Sequence, residues 1–152
     1  MTIFQAPEYD ARKARRRKII LSVVAAVAVA AGIIWFVFRN WPEEHVTKNF
    51  FTALVNKDYK TAYGVWINDK NWESKPPLQR YPFTDFYRDW GPAGDWGPIK
   101  SFKIDGSTRP RDKDGTSNGV VVIVTVNERK EPALIFVDKD KQLSFSPFEL
   151  AP

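Results

Sequence analysis

Residues 19–38 read Ile19-Ile-Leu-Ser-Val-Val-Ala-Ala-Val-Ala-Val-Ala-Ala-Gly-Ile-Ile-Trp-Phe-Val-Phe38, 20 residues without a charge. At about 1.5 Å per residue a helix of that length covers roughly 30 Å, the thickness of a bilayer's hydrocarbon core. Read as a transmembrane helix, this run divides the chain into three. Residues 1–18 form a basic cytoplasmic tail, residues 19–38 the span, and residues 39–152 an extracytoplasmic domain. The 114 residues after the span suffice for one core and are too few for two.

The charge follows the same division. Arg12, Lys13, Arg15, Arg16, Arg17 and Lys18 stand against Glu8 and Asp10, so the first 18 residues carry +4 of the chain's +5. Residues 1–11 lack hydrophobic periodicity and are expected to be disordered. Beyond the span Arg39 is the sole basic residue before Lys48, with Glu43 and Glu44 between them. Basic flanks stay on the cytoplasmic side, which puts the amino terminus inside and the domain outside a cell's inner (plasma) membrane. The same cluster suits attraction to anionic headgroups, with docking of a cytoplasmic protein as the alternative. A nucleic-acid reader carries its basic surface on the folded domain, and this domain is nearly neutral. The absence of cysteine excludes disulfides, thiolate metal sites and a Cys nucleophile.

Signal-peptide apolar cores run about 7–15 residues, and this run is longer despite the cleavage-like Ala28-Val29-Ala30. An uncleaved, single-pass anchor is the expectation. Trp35 and Trp41 fall near its outer end, where an indole buries its ring and keeps its N–H wet. Ser22, Ala26 and Ala30, with Ala28 and Gly32, provide small residues four apart, a pattern that lets spans pair.

In the domain, Trp41-Pro42-Glu43-Glu44 marks a helix start, with Pro in the first turn and two acids at the positive end of the dipole. Val46, Phe50, Ala53 and Leu54 continue at helical spacing to a stop at Asn56-Lys57. Asp58 is the predicted N-cap of a second helix bearing Tyr59, Ala62, Tyr63 and Trp66 on one face. Residues 68–82 read as a loop, and Phe83 to Trp90 as a short third helix closed by Gly91-Pro92. From Ile99 the pattern becomes strand-like. Lys100, Phe102 and Ile104 are read as one face of a first strand. Gly119–Asn127 is β-branched almost throughout, as expected of a strand covered on both faces or central in its sheet. Ala133–Val137 follows, then Leu143 and Phe145, with Phe148 at the end. Short connections imply an antiparallel meander. The predicted class is α+β, two to three helices packed on a curved antiparallel sheet of about four strands behind the transmembrane helix.

The segment Val46-x-x-x-Phe50-Phe51-x-Ala53-Leu54-x-x-x-Asp58-Tyr59-x-x-Ala62-Tyr63-x-x-Trp66 resembles the opening helices of the nuclear transport factor 2-like superfamily. The short helix ending at Gly91-Pro92, the strand through Ile104 and the hairpin near Lys141 follow that family's order, so the resemblance covers about 43–148. It implies a sheet wrapped around helices as a cone whose mouth can hold a ligand; some members are isomerases or dehydratases, and many are binding or assembly modules, often dimeric through the sheet. The layout of basic tail, single span and cone domain also resembles the inner-membrane scaffold component of type IV secretion systems.

Catalytic signatures are missing from the sequence. His45 is the single histidine, and zinc wants several N or S ligands. Asp112-Lys-Asp114-Gly115 lacks the third ligand and the later Glu of a calcium loop. Neither a metal nor a cofactor is expected. In the family's enzymes an Asp or His base works inside the cone, which singles out Asp69, Asp85 and Asp89 with Tyr63 and Tyr87. Such a base needs a raised pKa in a dry pocket. Trp66, Trp72, Trp90 and Trp96 cluster around the third helix. They either seal the wide end of the cone or present an aromatic surface to a partner. The residues expected to contact a ligand or partner are Tyr63, Trp66, Asp85, Tyr87, Trp90 and Trp96. The functional expectation is a non-enzymatic binding or assembly module whose partners are the bilayer and a protein or a second copy. The alternative is a small-ligand-binding or isomerase/dehydratase-like domain.

Overall fold

The computed structural model describes residues 11–110 and 118–147. Residues 1–10, the Asp112–Gly115 motif and Phe148 lie outside the described residues. The chain forms two compact units, residues 1–39 and 40–152.

In the first unit a single helix, α1 (Ala11–Phe38), joins the basic cluster and the apolar run without a break. The helix therefore begins before the predicted span, because Ala, Arg and Lys are strong helix formers that let it propagate upstream. Every residue of the apolar run is exposed. The helix is long and apolar enough to cross a membrane and lies near the amino terminus. Trp35 is exposed near its end, and the Arg39 guanidinium sits 5.4 Å from the centre of the Phe36 ring.

The second unit is an α+β domain. Its helices are α2 (Trp41–Val55), α3 (Tyr59–Trp66) and α4 (Phe83–Trp90), with a 3-10 turn at Trp72–Ser74. Pro42 and the acids Glu43 and Glu44 occupy the first turn of α2. Lys57 takes a left-handed φ of 59° that ends it. The Asp58 carboxylate then accepts from the Thr61 N–H at 3.0 Å, capping α3. The predicted helices and their stops are all present.

Four strands follow: β1 (Phe102–Thr108), β2 (Gly119–Val126), β3 (Ala133–Asp138) and β4 (Leu143–Phe145). They form an open antiparallel meander in the order β1-β2-β3-β4. Asn127 and Glu128, at φ 49° and 58°, make the tight turn between β2 and β3. Lys100 departs from its expected place. It precedes β1 and is exposed, while its neighbour Ile99 is buried. The Asn127 side chain explains this. Its Oδ1 accepts from the Lys100 N–H at 2.8 Å and its Nδ2 donates to the Pro98 carbonyl at 3.0 Å, holding 98–101 off the strand path.

Val120, Val122, Val124 and Val126 of β2 join Ala133, Ile135 and Val137 of β3 on the face covered by the helices. Against them lie Phe50, Phe51, Leu54, Tyr63, Trp66, Phe86 and Trp90, all buried. The Phe50 ring is the hub, with centroids 5.0–6.1 Å from those of Phe51, Trp66, Phe86 and Trp90. Val121, on the opposite face, is also buried, as the central-strand reading predicted.

Candidate functional site

Two surface clefts meet at the loop between α3 and α4. The first, of about 530 Å³, is lined by Tyr63, Trp72, Pro76, Pro77, Pro82 and Phe83, with Asp69, Glu73 and Lys75 at its rim. The second, of about 730 Å³, runs between Leu78–Tyr81 and strand β4, with Trp66 and Phe145 in its wall. Ile67, Leu78 and Gln142 line both. Aromatic packing supports these walls. Phe145 is stacked on Trp90 at 5.6 Å with planes 2° apart, and it also meets Trp66 and Tyr81. The residue is nonetheless 50% exposed, and Leu78 is 46% exposed. Exposed large apolar groups beside a concave surface are the usual ingredients of a binding site.

The sequence-predicted residues divide into interior, clipped and surface groups. Trp66 and Trp90 are core residues and reach the second cleft through Phe145. Among the described residues the buried Trp90 Nε1 has no hydrogen-bond partner. Tyr63 is buried and its hydroxyl donates to the Tyr81 carbonyl at 2.8 Å. Burial raises its pKa. Trp72 stacks on Phe83 and donates its N–H to the Lys60 carbonyl at 3.2 Å. Trp96 is half-buried, stacked against Trp90 and covered by the Arg129 guanidinium 5.4 Å from its ring. Tyr87 is 46% exposed on the outer side of α4, edge-on to Tyr59.

The acids are equally dispersed. Asp85 pairs with Arg88 at 3.2 Å. Asp89 accepts from the Tyr81 hydroxyl at 2.9 Å and from Arg88. Burial and that Asp89 bond push the Tyr81 phenol far above its ordinary value. The Lys75 ammonium and the Asn71 N–H hold Asp69 below the usual carboxylate range, the opposite of what a general base requires. Asp85, Tyr63 and Tyr87 therefore do not converge. No group of three or more His, Cys, Asp or Glu suitable for a metal occurs among the described residues. His45 is exposed and stacks on Trp41 at 5.0 Å.

Leu78, Tyr81, Gln142 and Phe145 are the cleft residues the sequence did not single out. The loop's Pro76-Pro77 and the short β4 were visible, but nothing in the sequence sets them face to face. A polar clamp was also missed. Glu43, 7% exposed, accepts from Lys141 at 2.9 Å and pairs with Arg109 at 3.5 Å. Arg109 also donates to Asn40 Oδ1 at 2.7 Å, and Ser107 links Asn40 to Glu44. A bulge between Ile104 and Gly106 turns Ser107 onto the helix side of the sheet, opposite Val122. The clamp ties the first turn of α2 to the end of β1 and to the β3–β4 turn.

Comparison with protein-family models, curated proteins and solved structures returned no match to this chain.

Proposed function

We propose that this protein is a single-pass membrane protein with a non-enzymatic binding or assembly domain on the extracytoplasmic side. The observation that carries this reading is the pairing of a fully exposed apolar helix with a compact domain whose aromatic cleft is open at the surface. Exposed Ile, Val and Phe side chains along the whole of 19–38 want a hydrocarbon surrounding. Two residues, Arg39 and Asn40, separate α1 from α2. The basic cluster at the other end of α1 favours a cytoplasmic amino terminus. In the domain, Asp69, Asp85, Asp89 and Tyr63 are held in ion pairs and hydrogen bonds and Tyr87 lies on the outer side of α4, so the groups a cone-type enzyme would use do not face one pocket. The helices-then-meander order supports a nuclear transport factor 2-like domain. A scaffold component of an envelope complex is the narrowest form of the proposal. Ser22, Ala26 and Ala30 offer a face for pairing of the span. Small-ligand binding is the second reading, favoured by cleft volumes within the usual range for ligand sites.

Because the chain has no cysteine, orientation is directly testable. Gln5→Cys and Lys130→Cys variants are exposed to a membrane-impermeant maleimide in intact cells. The expected result is labelling at position 130 and none at position 5 until the membrane is opened. The reverse pattern, or a soluble product lacking α1, refutes the anchor. Crosslinking of the full chain in its own membranes should give discrete protein adducts, and adducts with lipid alone refute the assembly role.

A further inference from the structure

The two edges of the sheet differ. Strand β1 is guarded by its bulge, by the Lys103–Asp105 ion pair at 2.9 Å and by Thr125, which donates to the same carboxylate. Such features block pairing with another chain. Strand β4 has none of them. Among the described residues it pairs only with β3. The bonds Asp138 N–H to Gln142 C=O and Ser146 N–H to Leu134 C=O assign alternate residues of this segment to β3. By alternation the N–H and C=O groups of Leu143 and Phe145 point to the open edge.

The second cleft lies along this edge and is also lined by Leu78 and Tyr81. Among the described residues no carboxylate lines it, and Arg80 is its one charged residue. Arg80 is exposed and makes no hydrogen bond or ion pair with another described residue, unlike nearby Arg88. Among the described residues the cleft thus combines unfilled backbone bonds, a half-exposed aromatic and an uncommitted cation.

We propose that β4 is a docking edge for an extended acidic–apolar segment of a partner protein, which adds to the sheet as a fifth strand. The segment would bond the backbone of Leu143 and Phe145, place an apolar side chain against Phe145 and Leu78, and offer a carboxylate to Arg80. Backbone bonding supplies affinity and the cleft supplies selectivity, the general logic of strand addition. This proposal rests on the assembly reading above and deepens it.

The test uses the full chain in nanodiscs and a displayed library of random heptapeptides. Selection should return alternating apolar residues with a Glu or Asp. An Arg80→Glu variant, changed in an exposed loop, should shift that preference to Lys or Arg. N-methylating the selected peptide at the bonding residues should weaken it about tenfold or more, whereas N-methylation at the intervening ones should not. Three results overturn the proposal. The first is the absence of a consensus, or a consensus unchanged by Arg80→Glu. The second is equal loss from both N-methylation patterns, or competition by dodecanoate on equal terms, which marks the cleft as an apolar-ligand site. The third is concentration-dependent protection of the Leu143 and Phe145 amides without peptide, which assigns the edge to a second copy. If membrane crosslinks to a protein persist while the library gives no consensus, strand addition fails and the assembly reading stands.

Discussion

Replacing Glu43 by Gln distinguishes two accounts of one residue. As an acid in the first turn of an exposed helix, Glu43 would contribute about 0.3–1 kcal/mol through the helix dipole. In the folded domain it is almost fully buried and faces two cations, Lys141 at 2.9 Å and Arg109 at 3.5 Å. At an effective dielectric of about 20 each contact is worth roughly 5 kcal/mol before desolvation. Burying the carboxylate returns several kcal/mol of that. Both cations are about a third exposed and recover hydration when the carboxylate is lost. One Glu43 oxygen, Oε2, has no hydrogen-bond partner among the described residues, so the amide regains little. The expected cost of Glu43→Gln is about 2–3 kcal/mol, between the surface-pair and buried-pair limits. The assay is urea unfolding of the full-length chain in detergent micelles, followed by tryptophan fluorescence, since Trp66 and Trp90 are buried reporters. The midpoint should fall at unchanged slope. The loss should persist at high salt, because a buried pair is poorly screened. Coupling with Lys141→Met should be about 1–2 kcal/mol. A loss below about 1 kcal/mol that vanishes in salt would refute the clamp and restore the dipole account.

Phe50→Ala should cost about 3–5 kcal/mol, since it empties the hub of the aromatic core, and a loss under about 1.5 kcal/mol by the same unfolding assay would contradict that packing. Asp58→Ala should cost about 1 kcal/mol at neutral pH through loss of the α3 cap. The Thr61 side-chain and backbone hydrogen bonds lower the folded pKa of Asp58, so its contribution is present above the ordinary Asp value and lost as pH falls through the folded one. The gap between wild type and variant should therefore close in acid, and a gap that widens in acid contradicts the cap. Gly119→Ala should be destabilising, because the new methyl would run into the Val137 carbonyl oxygen and the Phe136 ring, and unchanged thermal stability would show that β2 and β3 pack more loosely than described.

The elements themselves were legible because their signals are local. A charge-free run sets a helix that can cross a membrane, Asp58 and Lys57 set a helix boundary, and β-branched residues from Val120 to Val126 set a central strand. Each depends on neighbours within a few residues, so period and turn chemistry suffice. The meander was legible for the same reason, since short connections leave antiparallel pairing as the economical choice. Lys100 failed this kind of reading because Asn127, 27 residues later, redirects the backbone.

The candidate site belongs to the other category. Phe145 and Leu78 look like ordinary apolar residues until the fold places β4 beside the 78–81 loop. Trp66 and Trp90, the obvious aromatics, turn out to be the wall behind them. Glu43 reads as a surface acid until the bulge between Ile104 and Gly106 brings β1 and Arg109 to the start of α2. The sequence alone determined the long apolar helix ending at Phe38, the helix and strand order and the near-neutral charge of the residues after it. Which apolar groups stay uncovered, which acids are neutralised and which strand edge is left open were decided only in three dimensions, because each depends on surfaces that distant segments bury or leave bare.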